Sequence, residues 1–248
     1  MSMPATDRDA RTDSPLAVER LVKRFGGITA VNGVSFSLAR AEILGIIGPN
    51  GSGKSTLFNL IAGAEPPDEG IVRLAGRDVT RWPAWRIARG GLGRTFQIPS
   101  LFDNMSVWDN LLAAAVEADW QGAPERAEEA LELLRIGEVR DNLASELSGG
   151  QQKLLEFGRV YMRAPKVVLL DEVTAGVHPN IRKIILGALR RLKGEGVTFL
   201  IIEHDMEMVR EICERILVMD FGEVVAEGPF AEIARDKDVQ QAYLGRRT

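Results

Sequence analysis

Apolar and polar positions alternate through ITAVNGVSFSL, residues 28 to 38, and the pair Gly26-Gly27 separates this run from the apolar stretch before it. A period of two sends successive side chains to opposite faces, so the region from residue 16 reads as antiparallel strands joined by a glycine turn. The burst ILGII, residues 43 to 47, has no polar position and predicts a strand buried on both faces. STLFNLIAG then changes to a helical rhythm, with Gly63 marking its end. GIVRLAGRDV predicts a short hairpin, and from about residue 84 to 163 the pattern is helical. Pro124 falls in the first turn of APERAEEALELLRI, whose leucines and isoleucine recur at helical spacing.

Beyond residue 166 strands and helices alternate: VVLLD, IRKIILGALRRLK, VTFLIIE, MEMVREICER and ILVMD. This order implies a mostly parallel sheet. The expected architecture is an α/β core made from residues 15 to 85 and 164 to 248, interrupted by a helical subdomain at about 86 to 163. Residues 1 to 14 are expected to form a disordered tail, and the chain shows no internal repeat or low-complexity segment.

Composition narrows the class. With 248 residues, 45% of them hydrophobic, there is enough apolar surface for a packed interior. A net charge of -4 and a pI near 5.4 give no broad basic field, so no nucleic-acid partner is expected. No apolar run reaches the roughly 18 to 20 residues of a membrane span, and MSMPATDRDARTDSP is unlike a signal peptide, so a soluble chain is expected. The single cysteine, Cys213, has no internal partner for a disulfide and reads as a core residue in a reducing compartment.

The chemistry concentrates in a few short segments. Gly48, Pro49, Asn50, Gly51, Ser52, Gly53, Lys54, Ser55 and Thr56 satisfy G-x-x-x-x-G-K-[ST] and lie between a predicted strand and a predicted helix. Glycines there let the backbone curl so that successive N–H groups and the helix start face a phosphate chain. Lys54 reaches the terminal phosphates and Ser55 is suited to magnesium. In VVLLDE, Asp171 ends a buried strand facing the same crevice and suits a hard cation, while Glu172 is placed to polarise an attacking water. Ser148, Gly149 and Gly150, followed by Gln151, precede the helix-like QQKLLEFGRVYM and read either as an ordinary N-cap or as a second anion-binding helix start.

GPNGSGKST, TFQ at 95 to 97, LSGGQ at 147 to 151, LLDE and IIEHD occur in this order, and from about residue 16 onward the chain resembles the nucleotide-binding subunits of ATP-binding cassette transporters. The resemblance implies a P-loop NTPase, RecA-like core with an N-terminal antiparallel β subdomain and an inserted α-helical subdomain. It implies ATP and Mg2+ as ligands and ATP hydrolysis coupled to transport. It gives Phe25 the role of stacking on adenine, Gln97 that of touching magnesium and the attacking water, and His204 that of contacting the terminal phosphate and orienting the catalytic carboxylate. It also implies that Ser148 and its glycines close over ATP held by a second, head-to-tail ATPase subunit. Integral-membrane permease subunits and, indirectly, an extracytoplasmic solute-binding protein are the other implied partners, with the chain peripheral on the cytoplasmic face of the inner membrane.

Within the family, RFGGITAVNGVSF, IARGGLGRTFQIPSLFDNMSVWDNLL, TAGVHP, IIEHDMEMV and VQQAYLG resemble the ATP-binding subunits of branched-chain amino acid importers. Similar sequences serve urea or amide import and lipopolysaccharide export. A C-terminal regulatory domain like that of sugar-importing relatives is not expected. Val173 stands where proline commonly follows the catalytic glutamate, and His178 where Asp or Asn is common, in the loop implied to face the partner's nucleotide. Trp82, Trp85, Trp108 and Trp120 surround Gln97 in sequence and suggest a cleft for a permease helix with Phe96, Ile98, Leu101 and Phe102, at least two of the four being core. A soluble cassette acting on nucleic acid or ribosomes would be expected to carry paired cassettes or a long coiled-coil insertion, and a small-molecule kinase would leave LSGGQ and IIEHD unexplained.

Overall fold

The computed structural model describes residues 14–96, 99–115, 117–236 and 239. The expected tail, apart from Ser14, lies outside the described residues, as do Gln97 and Ile98 and all of VQQAYLG but Val239.

The first two strands, β1 (Leu16–Phe25) and β2 (Ile28–Leu38), pair antiparallel across the Gly26-Gly27 turn. β3 (Ile43–Ile47) leads through the glycine-rich loop into helix α1 (Lys54–Ile61). Gly63, with φ 69, follows that helix as the sequence predicts. The hairpin β4 (Glu69–Leu74) and β5 (Arg77–Asp78) completes a four-stranded antiparallel sheet in the order β2-β1-β4-β5.

Next come α2 (Ala84–Arg89), β6 (Leu92–Arg94), α3 (Val107–Leu112), α4 (Ala123–Leu134) and α5 (Gly149–Tyr161). Pro124 sits in the first turn of α4. β6 corrects the expectation of an uninterrupted helical stretch from about 86 to 163, because it pairs parallel with β7 (Val167–Asp171) at the edge of the core sheet. The alternation then continues as expected with α6 (Pro179–Gly194), β8 (Thr198–Ile202), α7 (Met206–Ile212) and β9 (Arg215–Asp220). β10 (Glu223–Gly228) adds an antiparallel edge, and α8 (Phe230–Ile233) follows.

The core sheet runs β10-β9-β3-β8-β7-β6. Its central strands are buried on both faces because alternate residues feed two cores. Ile43, Ile47, Val168 and Leu170 pack with the helical segments, while Leu44, Ile46, Val167 and Leu169 pack with α1 and the antiparallel sheet. Each such side chain contributes about 1.5–3 kcal/mol when fully withdrawn from water. Cys213 lies in the first of these cores, as its surroundings in sequence predict.

Register decides where the chemistry falls. Ile46 of β3 is opposite Ile202 of β8, and Ile202 is opposite Asp171 of β7. The residues that follow these strands, Gly48, Glu203-His204 and Glu172, therefore emerge along one edge of the sheet, with Thr95 leaving β6 beside them. In parallel sheets the crevice beyond the carboxyl ends is where ligands bind.

Candidate nucleotide-hydrolysing site

Residues 48 to 53 form a tight loop that only glycine permits at two points. A Cβ on Gly48, at φ 153, would meet the Met219 carbonyl oxygen at 2.1 Å, and one on Gly53, at φ 101, would meet that of Ala30 at 2.2 Å. Gly53 is also the N-cap of α1, whose first turn has no acidic residue. The Lys54 ammonium donates to the carbonyls of Gly48 (2.8 Å) and Pro49 (2.9 Å) and to Ser52 Oγ at 3.3 Å. It thus occupies the concavity of its own loop. Burial pushes the Lys54 pKa down, while Glu172 and Asp171 act in the other direction. Asn50, Gly51 and Ser55 are exposed, Pro49, Gly53 and Thr56 half-buried, and Ser52 buried.

Asp171 is the last residue of β7 and is buried; its backbone N–H donates to Thr95 Oγ1 at 3.3 Å. Desolvation raises its carboxyl pKa, Arg94 lowers it most among its neighbours, Glu172 raises it, and Lys54 and His204 lower it. Oxygen donors from Asp171 and Ser55 match the preference of Mg2+ for a few hard ligands supplemented by water and phosphate. Among the described residues no cluster of three His, Cys, Asp or Glu could form a fully protein-built cage. The oxygen donors of Asp171 and Ser55 fit magnesium.

Glu172 has a left-handed backbone, φ 49, which is strained for a residue with a Cβ. Its N–H donates to the Ile202 carbonyl at 2.9 Å, extending the β7–β8 pairing by one residue. The carboxylate meets His204 from the neighbouring strand end, Nε2 to Oε1 at 3.0 Å. Lys54, Asp171, Glu172 and His204 are thus brought together, as sequence order alone could not specify.

Phe25 ends β1 and is 47% exposed, with the Lys23 ammonium 5.2 Å from its ring centroid. Ser148 caps α5: its N–H donates to Gln151 Oε1 at 2.9 Å, and the Gln151 N–H returns to Ser148 Oγ at 3.4 Å. These two side chains satisfy one another, and no atom would lie within 4 Å of a Cβ on Gly149. Gly150 packs against Ile181. The described Ser148–Gln151 contacts do not reach the phosphate loop of the same chain.

Gln97 lies outside the described residues, but its flanks are held by α5. The Glu156 carboxylate accepts from Phe96 N–H at 3.0 Å and from Ser100 N–H, and Arg159 donates to the Ser100 carbonyl. Glu156, Lys153, Thr95 and Glu203 were not singled out by sequence reasoning. A carboxylate inside an otherwise apolar run, as in LLEF and LIIEH, is the signal that points to Glu156 and Glu203; Lys153 and Thr95 carry no such mark.

Beside this region lies a groove of about 370 Å³, lined by Ala62, Ala88, Leu92, Phe96, Ala113 and Arg159 among others. None of the four tryptophans lines it. Trp82 and Trp108 are half-buried and pack on the two cores, as expected for at least two of the four, while Trp85 and Trp120 are 61% and 59% exposed. Leu101 packs against the larger core and Phe102 is exposed.

A phosphate loop and a carboxylate–histidine pair at the carboxyl edge of a parallel sheet define a nucleotide-binding P-loop ATPase. The family is resolved further by comparison: the ABC transporter family model matches residues 31–175, and the model for branched-chain amino acid ATP-binding cassette transporters matches residues 223–247. A probable branched-chain amino acid transport ATP-binding protein of Methanocaldococcus jannaschii is 38% identical, covering 93% of this chain and 97% of its own length. A cassette of an ABC transporter solved in its ADP conformation superposes with a TM-score of 0.83 at 36% identity, covering 94% of this chain and 99% of that one. A dimeric cassette in a post-hydrolysis state with ADP and phosphate matches at TM-score 0.76 and 26% identity, covering 87% and 98%. The chain belongs to the ATP-binding cassette family of transporter ATPases.

Proposed function

We propose that this chain is the ATP-hydrolysing subunit of an importer for branched-chain amino acids, acting as a head-to-tail dimer docked on membrane permease subunits at the cytoplasmic face. The observation that carries the enzymatic half is the His204–Glu172 contact of 3.0 Å beside the phosphate loop. The solute assignment is supported by the C-terminal family match and by the name of the Methanocaldococcus jannaschii relative, a probable branched-chain amino acid transport ATP-binding protein.

In this reading the loop amides and Lys54 hold the β- and γ-phosphates, the ammonium exchanging its bonds to Gly48 and Pro49 carbonyls for phosphate oxygens. Glu172 accepts a proton from the attacking water, and His204 fixes the carboxylate and contacts the γ-phosphate. Asp171 and Ser55, with Gln97, would hold Mg2+, which when bound offsets the charge on the phosphate oxygens. Phe25 stacks on the adenine ring. The exposed Ser148–Gly149 start of α5 meets the nucleotide of a second subunit, so that ATP closes the dimer and hydrolysis reopens it. The groove lined by Phe96 and Ala88 receives a permease helix.

Glu172→Gln is the direct test: it should retain ATP binding, lose turnover and accumulate a closed dimer on size exclusion. Unchanged turnover would remove Glu172 from its role. Reconstitution with its permease and uptake of labelled leucine against a urea control tests the solute; uptake of urea alone would displace the amino-acid reading.

A further inference from the structure

The segment IIEHD holds a buried carboxylate, Glu203, that the hydrolytic scheme does not use. Glu203 is 2% exposed and directly precedes His204. Its Oε1 accepts from the Thr174 N–H at 2.9 Å and from Thr174 Oγ1 at 3.0 Å, and the carboxylate also accepts the backbone N–H of His204. Thr174 is two residues after Glu172, and His204 is the next residue after Glu203. One buried group therefore ties the backbone behind the catalytic carboxylate to the backbone behind its histidine partner.

Two physical arguments give this arrangement a purpose. A buried carboxylate is costly to desolvate, and burial raises the Glu203 pKa against the three donors that lower it. Removing it would leave the buried Thr174 and His204 donors unpaired, so the carboxylate and its partners hold one another in place. Second, a non-glycine residue at φ 49 is strained and persists only where its surroundings over-determine it. The Glu172 N–H bond to Ile202 fixes one side of that residue, and Glu203 fixes the other through Thr174.

We propose that Glu203 is a positioning residue for hydrolysis, holding Glu172 and His204 in mutual register by bonding Thr174 and the His204 backbone. This rests on Glu172 being the catalytic carboxylate. Glu203 does not touch nucleotide, so its removal should alter turnover without altering affinity.

The test uses Glu203→Leu, Glu203→Gln and Thr174→Val in the full chain, with Glu172→Gln run in parallel. Misplacement of a catalytic group by about 1 Å costs up to about a hundredfold in rate, so Glu203→Leu should lower kcat about tenfold to a hundredfold, with KM and equilibrium affinity for ATP within about twofold. Glu203→Gln keeps an oxygen for both Thr174 donors and should recover kcat to within about fivefold of the parent. Thr174→Val should lower kcat, and adding it to Glu203→Leu should have little further effect. Normal kcat in folded Glu203→Leu, or a loss seen wholly in KM, overturns the proposal. Should Glu203→Leu fail to fold, normal kcat in Thr174→Val overturns it equally. Full turnover by Glu172→Gln would instead overturn the underlying site reading.

Discussion

The Lys153 ammonium, on the helix that starts at Ser148, donates to the Glu172 carbonyl at 3.2 Å, and it also reaches the Ala175 carbonyl at 2.7 Å. The strained turn carrying Glu172, the proposed base, is thereby tied to α5 through backbone oxygens. Lys153→Met keeps much of the aliphatic stem and removes the donor. We expect kcat to fall about tenfold with ATP affinity nearly unchanged, measured by steady-state hydrolysis and equilibrium binding. Equal loss of affinity would mean that Lys153 serves the phosphate loop instead.

Cys213 gives a prediction in alkaline solution. Burial pushes its thiol from 9.0 up to about 12, with Glu203 and Glu214 acting in the same direction. The folded state thus keeps a proton that the unfolded state releases, so this thiol's contribution to stability falls as pH rises from about 9 toward 12. Native protein should resist a thiol reagent at pH 8 and react once unfolded. Denaturation midpoints should show a shallower decline with pH in Cys213→Ala than in the parent; rapid labelling of the native protein would contradict this.

His178 caps α6: its Nδ1 accepts from the Asn180 N–H at 3.3 Å, with Pro179 following in the first turn. The sequence reading treated it as a residue facing a partner's nucleotide, and this local role explains why Asp or Asn suits the same position. His178→Ala should cost about 1 kcal/mol in unfolding free energy, and His178→Asn close to none. Chemical denaturation distinguishes them.

The groove is tested by filling it. Ala88→Trp should block permease docking and abolish transport, leaving ATP binding by the isolated subunit within about twofold. Co-purification with the permease reads the docking, and a collapse of ATP affinity would place the groove inside the nucleotide site.

Much of this was legible from the chain because backbone geometry and local pattern agree. The glycines of GPNGSGKST, the burst ILGII and the carboxylates ending VVLLDE each need a specific residue type at a specific place. β6 was hidden because Leu92–Arg94 is only three residues long with a glycine at its centre, and its strand character comes from pairing with β7. Glu156 and Glu203 were hidden for a different reason: their partners are mostly backbone N–H groups, which leave no mark in side-chain identity. The Glu172–His204 contact depends on strand order β8-β7, which periodicity does not encode.

β7 is five residues long and buried on both faces, with Asp171 paired to Ile202 at its end. Such a strand has no solvent face to absorb a slip. Deleting Val168 would shift everything after it by half a pleat, turning Asp171 to the opposite face while preserving every motif letter. The spacing of β7 therefore works as a ruler: a chain with every motif residue and one strand residue too few would put the proposed metal carboxylate, Asp171, and the proposed base, Glu172, out of register with the phosphate loop.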